Sequence, residues 1–169
     1  DLFVKKLDCI NLSFKLNPYT SNADMFLNDV NVENEIRSLE VSNLVSKVAA
    51  NSIVRKKLVA IQKEFGKNKG VVMDGRDIGT IVFPDAELKI FMTASAESRA
   101  KRRYDELVKK GDNVTYEEIY NNVVKRDHMD TTRADSPLVK ADDAIEIDNS
   151  TLSRKEQFDM ILKLVKEKL

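Results

Sequence analysis

Residues 71–95 read VVMDGRDIGTIVFPDAELKIFMTAS: two apolar runs, Val71–Met73 and Leu88–Ala94, on either side of the charged step Asp74-Gly75-Arg76-Asp77. Short continuous apolar runs bounded by turn residues predict buried strands, the pattern of a parallel sheet covered on both faces. Helical patterns flank them. Ser95 to about Lys110 reads as a helix capped by SAES, Tyr116 to about Asp130 as another, AIEID (144–148) as a third strand, and Ser153–Leu169 as a closing amphipathic helix. Strands alternating with helices make the fold class α/β.

The part before residue 71 is different. In CINLSFK (9–15), Ile10, Leu12 and Phe14 alternate with polar residues, the period of a strand with one wet face. LNPYTSNAD is rich in turn formers and MFLNDVNV predicts a return strand, so a hairpin or small antiparallel sheet is expected. From about Glu33 apolar residues fall at helical spacing, with a break at Asn51-Ser52 and an end at GKNKG (66–70).

Composition narrows the function. The chain has 169 residues, enough for one domain with a sizeable core and a small appended piece. Its 28 basic and 28 acidic residues cancel, so no global field attracts nucleic acid or an anionic membrane, and anion binding must be local. One cysteine, Cys9, excludes an internal disulfide and a Cys-rich zinc site. No apolar stretch has the length of a membrane span, and DLFVKKLD has no signal-peptide core. The expectation is a soluble cytoplasmic protein.

Three clusters carry chemistry. Asp74–Asp77 lies at a predicted strand end, where parallel sheets bind ligands; Gly75 permits a tight turn, Arg76 offers a fork for phosphate, and Asp77 can accept from an amino group such as cytosine N4. A turn held by an Asp–Arg pair fits the same residues. Arg126, Asp130 and Arg133 share a helix face and could grip phosphate while the carboxylate takes ribose hydroxyls, or form a solvated ion pair. Arg99, Arg102 and Arg103 at a helix start oppose its dipole, which an anionic ligand would offset; an ordinary charged surface is the alternative. Ser46 falls on the apolar side of the first long helix and Arg55 follows Val54, where a packed hydroxyl and a snorkelling guanidinium compete with contacts to a base edge. His128, with no second histidine or cysteine nearby, reads as a surface residue.

Together DGRDIGTIVFPDAELKIFMTAS, RAKRR and KRDHMDTTRADSPL resemble bacterial cytidylate kinase, and the resemblance extends over nearly the whole chain. It implies a nucleoside monophosphate kinase fold of the P-loop type with a small antiparallel β insert. Residues 1–66 would be the nucleotide-binding region, with the insert at about 8–32 and two helices; residues 67–169 would be the core, with a lid at about 96–135. It implies transfer of the γ-phosphoryl group of ATP, with Mg²⁺, to CMP or dCMP, giving CDP or dCDP and ADP, in pyrimidine metabolism. Ser46, Arg55 and Asp77 match residues that recognise cytosine; Arg76 matches an arginine at the CMP phosphate, Arg126 and Asp130 the pair near the ribose, Arg133 an arginine facing the phosphates, and Arg99 and Arg103 lid contacts to the donor. Arg76, Arg126 and Arg133 would then be catalytic, with no metal ligand supplied by the protein.

One family feature is missing. None of the five glycines belongs to a Gly-x-x-x-x-Gly-Lys-Ser/Thr loop, and Gly66-Lys67 runs on to Asn68. The expectation is therefore a piece of a kinase whose phosphate-loop strand is absent, of uncertain activity alone and monomeric when complete. The alternatives are a non-catalytic CMP-binding fragment and a kinase for another nucleotide such as UMP. Neither nucleic acid nor membrane is an expected partner.

Overall fold

A computed structural model describes residues 2–168, and its contacts divide them between two compact units, Asp1–Val71 and Val72–Leu169. The first unit opens with helix α1 (Leu2–Asp8) and a three-stranded antiparallel sheet, β1 (Leu12–Leu16), β2 (Ala23–Leu27) and β3 (Val30–Asn31), in the order β1-β2-β3. The expected hairpin is present, with Leu12 opposite Leu27 and Phe14 opposite Met25. The β2–β3 link is a two-residue turn in which Asn28 (φ 48°) and Asp29 (φ 64°) both take left-handed backbone, the geometry that matches strand twist. Phe14 meets Phe65 edge-on at 5.7 Å, which seats the sheet on the second long helix.

That helix, α3 (Ser52–Phe65), follows α2 (Leu39–Ala49), and the break between them falls at Asn51, as the sequence predicts. Asn51 caps α3 by accepting from Ile53 N and Val54 N, and Ser38 caps α2 by accepting from Val41 N. Helical periodicity begins earlier than the helix does: residues Glu35–Arg37 form a single 3₁₀ turn before α2.

In the second unit β4 (Ile90–Thr93) and β5 (Ile145–Asp148) pair in parallel, Ile90 with Ile145 and Met92 with Ile147. Helices α4 (Ala96–Lys110), α5 (Tyr116–Thr132) and α6 (Arg154–Lys168) complete it; the expected last residue, Leu169, lies outside the described residues. Ser95 caps α4, and Thr115 with Glu118 forms a reciprocal capping box on α5. α4 ends in a Schellman motif: Gly111 takes left-handed backbone (φ 90°) and Asp112 N donates to Leu107 O at 3.0 Å. Ala100, Leu107 and Ile119, all but inaccessible, form the core of the α4–α5 hairpin.

One expectation fails here, and one element is unforeseen. Val71–Asp74 is not a strand: no strand pairs with it among the described residues, and Val72 is fully exposed. An apolar run becomes a strand only when its backbone groups find a sheet partner, and this one instead spans the junction of the two units. Residues Ile78–Val82, for which the sequence predicts no element, form one π-helical turn closed by Val82 N to Asp77 O and Phe83 N to Ile78 O. No helix among the described residues is long and apolar enough to cross a membrane.

Candidate active site

The π turn begins directly after the charged step and fixes it. Asp77 stands at its start with its carbonyl accepting from Ile81 N at 2.9 Å, and its side chain is drawn into the interior, leaving the residue 7% exposed. π turns widen the backbone locally and are frequent at functional sites. Gly75 has ordinary backbone; its role is spatial, because a Cβ there would come within 2.9 Å of Ile78 Cγ1.

From α5, Asp130 meets this step. It is 4% exposed, and its Oδ2 accepts from Arg76 Nε at 3.0 Å. Arg133, one residue beyond the helix, bridges both acids: its Nη1 lies 3.6 Å from Asp130 Oδ1 and its Nη2 4.0 Å from Asp77 Oδ2. Arg126, one turn earlier, has its Nε 3.8 Å from Asp130 Oδ2. That Nε is buried and makes no hydrogen bond among the described residues. Arg126, Asp130 and Arg133 therefore come together as their spacing suggests, and Arg76 and Asp77 join them from the charged step; Arg–Asp ion pairing is present as well, with Arg133 and Asp130 buried and Arg76 and Arg126 partly exposed.

The charge of the cluster is unbalanced. Three guanidiniums face two carboxylates, an excess of one positive charge in a partly dry setting. Burial, and then repulsion from Arg76, hold the Arg126 guanidinium below its ordinary value, against the opposing pull of Asp130 and Asp127. A buried guanidinium destabilised in this way is one that an incoming anion stabilises.

The arginines of α4 leave one face of the helix, at i, i+3 and i+4, but reach different partners. Arg99 is held bidentately by Asp127 on α5, at 2.9 and 2.6 Å, and its Nε donates to Ala94 O. Arg103 donates to Glu106 at 3.0 Å. Arg102 turns to Asn149 and Ser150 after β5, away from α5. Asp127 was invisible to sequence reasoning, since nothing in local spacing joins it to a residue 28 positions earlier.

In the first unit Ser46 lies on α2 and Arg55 on α3, both essentially buried. Arg55 does not snorkel. Its Nε donates back to Ala49 O at 3.0 Å, so the guanidinium is drawn to the α2 C-terminus. His128 is exposed. Among the described residues no three His, Cys, Asp or Glu side chains are grouped to hold a metal ion.

A parallel-stranded α/β unit, a small antiparallel sheet ahead of it and an arginine-rich, carboxylate-bearing site are the features of the nucleoside monophosphate kinase class. The family model described as cytidylate kinase matches residues 3–167. Similar proteins include the cytidylate kinase of Flavobacterium psychrophilum, 64% identical over 162 residues that cover 96% of this chain and 72% of that protein. That of Flavobacterium johnsoniae is 62% identical over 167 residues, covering 99% of this chain and 73% of the relative. That of Bacteroides fragilis is 56% identical over 162 residues, covering 96% and 71%. The chain belongs to the cytidylate kinase family.

Proposed function

We propose that the protein is a cytidylate kinase in which the cluster around Asp130 holds the acceptor nucleotide for phosphoryl transfer from ATP. The observation that carries this is Arg133 bridging two buried carboxylates while Arg76 and Arg126 close on one of them. Such a network stores planar guanidinium forks that can donate to pairs of phosphate oxygens, and exchange of part of the Asp130 pairing for phosphate requires little movement.

In this reading Asp77 accepts from the cytosine amino group, with Ser46 and Arg55 completing base recognition. Arg76 meets the CMP phosphate, Arg126 and Asp130 lie at the ribose, and Arg133 faces the phosphates. Phosphoryl transfer demands positioning and charge neutralisation more than a strong base, so Arg76, Arg126 and Arg133 act by holding acceptor and migrating group in line and stabilising the equatorial oxygens. Arg99 and Arg103, on the α4–α5 hairpin that would be the lid, contact the donor. Arg99 must first exchange its Asp127 partner for phosphate, which keeps the lid arginine ordered before ATP arrives. ATP would enter as its magnesium complex, the ion supplying part of the charge neutralisation at the phosphates. Residues 1–66 would serve as the nucleotide-binding region. A monomer acting in the cytoplasm on CMP or dCMP completes the proposal.

Calorimetric titration with CMP, and with UMP as comparator, tests it. The expected result is selective CMP binding that Asp77→Asn weakens more for CMP than for UMP, because one of the two carboxylate acceptors is replaced by an NH2 donor, which suits uracil O4 and not the cytosine amino group. Equal affinity for the two nucleotides would remove the cytosine assignment, and phosphorylation of CMP that survives Arg133→Ala unchanged would remove the site.

A further inference from the structure

The loop after α5 closes on the helix it leaves. Arg133 exits with extended backbone (φ −63°, ψ 143°), and Leu138 N returns to donate to Asp130 O at 2.8 Å. Between them Ser136 takes φ 52°, the left-handed region that non-glycine residues rarely occupy. The next residue is Pro137, whose ring further restricts the backbone before it. Ser136 is thus held in a costly conformation, and such positions concentrate where geometry serves function.

The conformation has a visible product. The Ser136 carbonyl accepts from Arg133 Nε at 2.7 Å. A guanidinium is planar and rigid, so a partner on Nε sets the directions of both Nη groups. Those are the groups aimed at Asp130 Oδ1 and Asp77 Oδ2. The Arg133 side chain is 6% exposed, which leaves little room for another rotamer. The Ser136 hydroxyl is engaged elsewhere, with Asp135 Oδ1 at 2.9 Å, so the backbone rather than the side chain supplies the contact.

We propose that Ser136 is a positioning residue of the nucleotide site: its left-handed backbone presents the carbonyl that sets the plane of the Arg133 guanidinium. The inference rests on the reading of Arg133 as a substrate contact, and its test separates the two. Ser136→Val disfavours left-handed backbone through β-branching, whereas Ser136→Gly accommodates it. Two readouts are needed: CMP phosphorylation kinetics, and the NMR signal of the Arg133 Nε–H, identified by its disappearance in Arg133→Lys.

Ser136→Val is expected to shift the Nε–H signal and lower kcat/KM for CMP by about ten- to a hundredfold, as small misplacements of positioning groups do. Ser136→Gly retains the signal and most of the rate. In an Arg133→Lys background Ser136→Val adds less than about twofold, because the group it would misplace is gone. If Ser136→Val does not fold by circular dichroism, Ser136→Thr, also β-branched but isosteric at the hydroxyl, takes its place in the comparison. An unshifted signal with unchanged kinetics overturns the proposal, as does a Ser136→Val loss that repeats in full on Arg133→Lys. A shifted signal with CMP kinetics untouched by either substitution leaves the carbonyl contact standing but removes Arg133 from the nucleotide site, and the positioning role with it.

Discussion

Replacing Asp130 by Asn removes one negative charge and almost no volume, and the structure allows the cost to be worked out. Of the three guanidiniums around this carboxylate, Arg76 and Arg126 keep 39% and 33% of their side-chain surface open to water, so solvent screens much of what they lose. Arg133 does not have that relief: it and Asp130 are each 6% exposed. Breaking a buried pair by removing one charge costs about 3–5 kcal/mol. The amide oxygen can still accept from Arg76, and Asp77 remains 4.0 Å from Arg133 Nη2, so the lower end, about 3 kcal/mol, is expected. Urea denaturation at neutral pH measures it, with the exposed Asp142→Asn as a control expected to change stability by less than about 0.5 kcal/mol. Inorganic phosphate should restore more stability to Asp130→Asn than it adds to the parent protein, because it returns the lost counter-charge. A loss no larger than that of the control, or phosphate stabilising both proteins equally, would refute the claim that Asp130 neutralises a buried arginine.

Two further outcomes follow from other parts of the fold. The backbone N–H of Met25 and then Arg37 hold the Glu33 carboxyl below its usual value of 4.5; a folded-state value below the unfolded one gives stabilisation complete above about pH 5 and lost as pH falls through the folded value. Glu33→Gln should therefore flatten the fall in urea-measured stability between neutral pH and acid, and an unchanged slope would mean the pairing does not persist in solution. In the α4–α5 core, Leu107→Ala is expected to cost about 3 kcal/mol and the neighbouring exposed Val108→Ala less than about 1 kcal/mol; equal losses would show that the helix faces are misassigned.

Much of the fold was legible because its local signals are strong, even at β1, where Phe14 and Leu16 of the alternating apolar face stay exposed. Alternation over Leu12–Leu16 marks β1, Asn51 marks the helix break, and Ser95 marks the start of α4, each through a physical device that operates within a few residues. The convergence of Arg126, Asp130 and Arg133 was readable for the same reason, since four- and three-residue steps on a helix stack side chains. Val71–Met73 misled because apolar composition reports a preference for burial and carries no information about whether a partner strand is hydrogen-bonded beside it. The π turn at Ile78–Val82 has no sequence signature, and the Arg99–Asp127 clamp is a tertiary pairing that no periodicity encodes. Ser136-Pro137 signals a turn, but its left-handed backbone opposes the usual preference before proline and emerges only from the closed loop around it.

The α4–α5 hairpin is fastened at both ends: the Gly111 motif joins the helices on one side, and Arg99 with Asp127 rivets them near the other. Leu107 and Ile119 fill the space between. A piece so fastened resists shear between its two helices, and as the proposed lid it would turn as a single lever about the points where the chain enters at Ser95 and leaves at Arg133. Because the second of those points is also where the guanidinium bridging Asp77 and Asp130 is anchored, a swing of that lever would apply a torque to the acid pair.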